Sequence, residues 1–102
     1  MTDDVNANGN GDDADGLYEE LRSVDEITEA SAKLFSQMWY HRYQGKLQKG
    51  DPEPSEAEMA TGIEMRYPGE LGPWDDFQWG VLIGRYTTLH WVLGDEWPEV
   101  KP

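Results

Sequence analysis

Few residues in this chain have the type and spacing needed for chemistry. There are two histidines, His41 and His90, and no cysteine. Neither histidine is followed, three or four residues on, by a second histidine or a carboxylate, the spacing that sets two ligands on one helix face; a metal site would need a ligand from a distant segment. The adjacent acids Asp75-Asp76 and Asp95-Glu96 could move a proton, but acids beside helix ends ordinarily serve the helix dipole. No phosphate-cradling glycine loop, serine elbow or dinucleotide fingerprint occurs. Lack of cysteine removes disulfides, thiolate ligands and thiol nucleophiles, and leaves the redox compartment open. The expectation is a non-enzymatic chain with no catalytic residue, cofactor or metal.

Binding residues are better represented. The chain has five Trp and five Tyr in 102 residues, and Trp, Tyr and Arg dominate binding hot spots. Trp39, Arg42 and Tyr43 are therefore the candidate anchor cluster, joined by Gly80, Gly84 and Trp91 further along. An alternative set is acidic: Glu53, Glu56, Glu58, Glu64 and Glu70 could imitate the phosphates of DNA, as an anti-defence inhibitor would.

The charge favours some partners and disfavours others. Asp and Glu number 21 against eight Lys and Arg, a net charge of -13. Phosphate contacts are made mainly by Lys and Arg, so direct binding to nucleic acid or to an anionic membrane is not expected. The charge is uneven: Met1 to Gly16 carries -5, Leu17 to Gly50 is neutral, Asp51 to Asp76 carries -7 and Phe77 to Pro102 carries -1. Acidic solvated faces also suit a high-salt cytoplasm. No apolar run approaches the roughly 18 residues of a membrane span, and the N-terminus lacks the basic start and apolar stretch of a signal peptide. A cytoplasmic protein is expected.

The elements that must position these residues are helical. Met1 to Gly16 contains five Asp, no base and no aromatic; it has too little apolar surface to offset its ordering entropy and reads as a disordered acidic tail before a single helical domain over 17–102. A turn is expected around Leu17 to Leu21. Ser23-Val24-Asp25-Glu26 is a capping box that starts a long helix, stopped by Gly50. Val24, Ile27, Ser31, Leu34, Phe35, Met38 and Trp39 share an arc of about 140° on it, and Glu29 and Lys33 are spaced as an ion pair. Ser55-Glu56-Ala57-Glu58 predicts a second, shorter helix ending near Tyr67 before Pro68-Gly69. A third helix is predicted from Trp74 to Leu93, with Gly94 as its stop. One face of it holds Trp79, Leu82, Ile83, Tyr86, Leu89 and Leu93; another holds Phe77, Val81, Trp91 and Val92. Between them run a polar seam, Gln78 and Arg85, and a small-residue seam, Gly80, Gly84 and Thr87. A helix apolar nearly all round is expected to be buried on most sides, with Gly80 and Gly84 admitting another backbone.

The block Phe77-Gln78-Trp79-Gly80-Val81-Leu82-Ile83-Gly84-Arg85, continued by Leu89-His90-Trp91-Val92-Leu93-Gly94-Asp95-Glu96-Trp97, resembles the C-terminal segment of a group of small uncharacterised prokaryotic proteins. These share an aromatic residue, Trp-Gly, a second Gly four residues on and a closing Trp-Val-Leu-Gly-Asp-Glu-Trp. In that group the position of His90 is usually basic. The resemblance spans about a fifth of the chain and implies a shared helical element, with no particular reaction.

The sequence thus predicts an all-α, three-helix domain: a helical hairpin plus a short middle helix, with the third helix packed between the first and either the second or a symmetry mate. Its expected role is protein–protein interaction, with self-association as a homodimer. Because the -7 of Asp51 to Asp76 is mostly self-repulsive, added salt should stabilise the fold: the Debye length falls from about 10 Å at 0.1 M to about 3 Å at 1 M. Thermal melts at these two salt concentrations check this, and an unchanged midpoint would remove the high-salt explanation of the acidity.

Overall fold

A computed structural model describes residues 21–99. The acidic tail, and the turn expected at Leu17 to Leu21 apart from Leu21 itself, lie outside the described residues. Three helices and no strand are found among those described: α1, Val24–Lys49; α2, Pro54–Arg66; and α3, Asp76–Val92. The chain is all-α, as the sequence predicts.

Local chemistry explains each boundary. Ser23 Oγ accepts from the Glu26 amide at 3.1 Å while the Ser23 amide donates to Glu26 Oε1 at 2.9 Å, so the first capping box forms as read. α1 ends at Gly50, whose φ of 83° is the left-handed conformation that glycine adopts most readily. α2 starts two residues before the expected Ser55 box. Pro54 fits the first helical position, where no amide hydrogen is needed, and Glu53 becomes the cap, its amide donating to Glu56 Oε1 at 3.0 Å. α3 likewise starts later than Trp74: Asp75 accepts from the Gln78 amide at 2.8 Å and returns its own amide to Gln78 Oε1 at 3.0 Å. The connection between α2 and α3 contains a cis Gly72-Pro73 bond. Gly72 has φ +90°, and a Cβ there would come within 3.0 Å of Trp74, so glycine is required on both counts.

α1 is the scaffold. α2 and α3 each pack on it, and neither makes a close backbone contact with the other. The third helix is therefore not placed between the first and the second, because α1 offers two different sides. Along α3 the facing pairs run Ser31 with His90, Phe35 with Tyr86 and His41 with Trp79, an antiparallel hairpin with a constant register. The pairs Tyr40 with Glu64 and Lys46 with Glu56 make α2 antiparallel to the C-terminal half of α1.

The core follows this arrangement. Tyr40, Tyr43, Ala60, Ile63 and Leu71 are buried together, with Trp39 and Tyr67 packed against them; Leu34 and Leu82 are buried on the α3 side. The expected stripe on α1 is only partly right. Val24 and Phe35 are exposed, while Gln37, Tyr40 and Tyr43, outside the predicted list, are buried because α2 and the following loop cover a second side of the helix. Gln37 is satisfied there: its Nε2 donates to the Glu70 carbonyl at 2.8 Å. That bond brings Glu70 to Lys33, and Lys33 pairs with Glu70 in place of the expected Glu29.

Tyr40 ties the two helices by donating its hydroxyl hydrogen to Glu64. This hydrogen bond, then burial and the neighbouring negative charge, push the phenol up to about 12 from the ordinary 10.0. The folded chain holds that proton more tightly than the unfolded one. The resulting stability is complete below the unfolded pKa of 10.0 and is lost as pH rises to about 12. Urea unfolding should show wild type losing more stability than Tyr40→Phe across this window. Parallel losses in the two proteins would show that the bond does not contribute.

Candidate functional site

The sequence-predicted anchor cluster is divided by the fold. Tyr43 is buried in the α1–α2 core and is not available to a partner, and half-buried Trp39 stacks on it, with ring centroids 5.4 Å apart and planes at 8°. Arg42 is exposed on the other side of α1, its guanidinium 5.6 Å from the Trp79 ring, which also stacks on His41 at 4.8 Å. The physical reason is that both sides of the C-terminal half of α1 are apolar, and helices cover both.

The acidic set is mostly engaged within the chain. Glu53 caps α2. Glu56 meets Lys46 at 2.6 Å, a contact that lowers the carboxyl pKa and raises that of the ammonium. Glu64 accepts from Tyr40, and Glu70 pairs with Lys33. Only Glu58 of the five has no hydrogen bond or ion pair among the described residues.

α3 presents a different picture. Its Leu82 face lies on α1, as the periodicity predicts, but the expected burial on most sides does not occur. Phe77 is 79% exposed, Trp91 49% and Val92 51%. Nor does another backbone approach Gly80 or Gly84: a Cβ at either would meet nothing within 4 Å. At about 100° per residue, Gly80, Trp91, Gly84 and Phe77 fall on the side of α3 opposite Leu82, with Val81 and Val92 at its edge. The second apolar face and the small-residue seam thus form one outward surface, with no helix of the described chain to cover it.

The segment after α3 extends this surface. His90 Nδ1 lies 2.8 Å from Asp95 Oδ2, and its Nε2 lies 2.9 Å from Ser31 Oγ. Asp95 is thereby held to α3 and α3 to α1, and the chain turns through Gly94, at φ 114°, so that Trp97 stacks on Trp91 at 5.2 Å and 11°. The sequence reading missed this tie because His90 and Ser31 are 59 residues apart; the only local signal was an acid five residues after a histidine.

Serine, histidine and aspartate in this order form the relay of an acyl-transfer site. Two requirements of that chemistry are missing. Ser31 is 6% exposed, in the middle of α1, and amides inside a helix are already donated to carbonyls four residues back, leaving no pair to stabilise an oxyanion. The arrangement serves as a polar clasp.

The remaining concavity lies between α3 and the end of α2. Cavities of about 760 and 640 Å³ meet at Ala30, Lys33 and Leu89; Arg22, Arg66 and Tyr67 line the first, and Gln37, Gly84, Arg85 and Thr88 the second. Among the described residues no helix is long and apolar enough to cross a membrane. No family model, curated protein or solved structure matches the chain.

If the His90–Asp95 contact seats Trp97 on Trp91, Asp95→Ala should abolish the near-ultraviolet circular dichroism of the stacked indoles. Global stability should change by no more than about 0.5 kcal/mol, because Asp95 is exposed. An unaltered indole signal would show that the stack stands without the clasp.

Proposed function

We propose that the protein is a non-enzymatic, cytoplasmic interaction module that self-associates as a homodimer through the outer face of α3. One observation carries this reading. A helix whose outward surface presents Phe77 and Trp91 around two glycines with open space before them suits the approach of another helix at short distance. Small residues allow backbones to approach, and flanking aromatic side chains supply the buried area. A two-fold dimer would place the same face of a second copy against it. Within the chain, Gly80 and Gly84 gain nothing from lacking a side chain and cost α3 about 1 kcal/mol each relative to alanine.

This reading is favoured over an acidic mimic of DNA, because four of the five acids that would present phosphate-like charge hold the fold together.

Light scattering at micromolar concentration should give about twice the 11.7 kDa chain mass. Gly84→Leu should weaken the dimer about tenfold or more by overpacking the contact, yet leave the monomer folded, since Gly84 is exposed and a Cβ there meets nothing within 4 Å. A wild-type mass of 11.7 kDa at these concentrations would overturn the proposal. So would dimerisation unchanged in both Gly84→Leu and Trp91→Ala.

A further inference from the structure

The trough between α3 and the end of α2 is the second uncovered surface, and it differs in kind from the outer face of α3. Its floor is α1, through Ala30, Leu34 and Gln37; one wall is Arg85 and Leu89 of α3, and the other is Arg66 and Tyr67. Arg22, Lys33, Arg66 and Arg85 line it, half of the chain's eight basic residues, together with Glu26, Glu29 and Glu70, of which Glu26 is paired with Arg22 and Glu70 with Lys33. Arg85 has no hydrogen bond or ion pair among the described residues, and Arg66 has only the Tyr67 ring, 5.9 Å away. Arg66 and Arg85 outnumber Glu29, the one carboxylate of the lining unpaired among the described residues, and beside an apolar floor this excess of positive charge favours an acidic segment with a few apolar side chains.

We propose that the occupant is this chain's own N-terminal segment, residues 12–20, bound in cis. Residues 1–20 hold seven acids and no base, and Leu17 and Tyr18 stand next to Asp12, Asp13, Asp15, Glu19 and Glu20. The segment joins the described chain at Leu21, beside Arg22 on the rim of the trough. Reach is sufficient. Six extended residues from Leu21 back to Asp15 span about 20 Å, whereas Arg22 to Lys33 along α1 is about 16 Å. The segment is too polar to build a core of its own, but a trough supplied by the rest of the chain removes that requirement. The covalent link replaces a bimolecular association by an effective concentration in the millimolar range, so modest complementarity suffices.

The absence of native cysteine allows a clean test in the full chain. A nitroxide on Ala14→Cys should reduce the amide signals of Lys33, Thr88 and Leu89 at least twofold at 50 mM salt, relative to the reduced label. The double variant Arg66→Glu/Arg85→Glu, with helicity confirmed by circular dichroism, should restore those signals. Broadening confined to the residues next to Leu21, or equal broadening in the double variant, would overturn the proposal. Mixing spin-labelled chains with isotope-labelled, label-free ones reports binding in trans. Broadening that appears only in that mixture would assign the trough to another copy's segment and also overturn it.

Discussion

Everything buried in the described chain is buried against α1. A three-helix domain ordinarily closes on itself, each helix covering part of the other two, but here α2 and α3 occupy different sides of one 26-residue helix and make no close backbone contact with each other. That constraint accounts for the shallow interior, in which no large side chain is fully buried. It also accounts for the two uncovered surfaces. The outer face of α3 is open because α2 is not there to cover it, and the trough is the space the two short helices leave between them.

With so little apolar depth, polar contacts fasten the long-range joins. Gln37 holds the loop after α2, Tyr40 holds α2 itself, and Ser31 holds α3 through His90. Ser31, Gln37 and Tyr40 are all buried on α1, so each bond forms where an unmet partner would cost about 1–3 kcal/mol. Such bonds add geometric demand to the packing of leucine on leucine. The Ser31–His90–Asp95 clasp shows the effect most clearly, since it fixes the end of α3 and with it the pair of indoles at Trp91 and Trp97.

What the sequence disclosed follows from the range of the interactions. Ser23 with Glu26, Gly50 and Pro68-Gly69 act within one turn of chain, and the boundaries they predict are found. Ser55 was misread because Pro54 and Glu53 make an equally local and better start. The two faces of α3 are legible from periodicity: Phe77 and Trp91 point outward, with Val81 and Val92 at the edge of that side. Periodicity could not say that this side stays open, because that depends on where α2 sits. Gln37 and Tyr40 lay outside the arc drawn from the N-terminal half of α1; a second partner buries them, and a single moment cannot encode two directions. The Trp39, Arg42 and Tyr43 cluster is divided for the same reason. Trp39 and Tyr43 go to the α1–α2 core and Arg42 to the exposed seam with α3.

The charge distribution gives the open face its meaning. An exposed helix surface in a chain shaped only for solubility would carry acids, as α2 does at Glu58 and Glu64. Residues 77–94 contain no carboxylate at all in a chain that has 21. In the proposed dimer, two copies carrying -13 each repel wherever their acidic segments meet, and the acid-free stretch offers the approach of least electrostatic cost. Its bases, Arg85 and His90, do not spoil it: Arg85 lines the trough and His90 turns inward to Ser31. On the dimer proposal the acids and the apolar face act together, the first discouraging contact over most of the molecule and the second leaving one surface where burial of Phe77 and Trp91 meets little opposing charge.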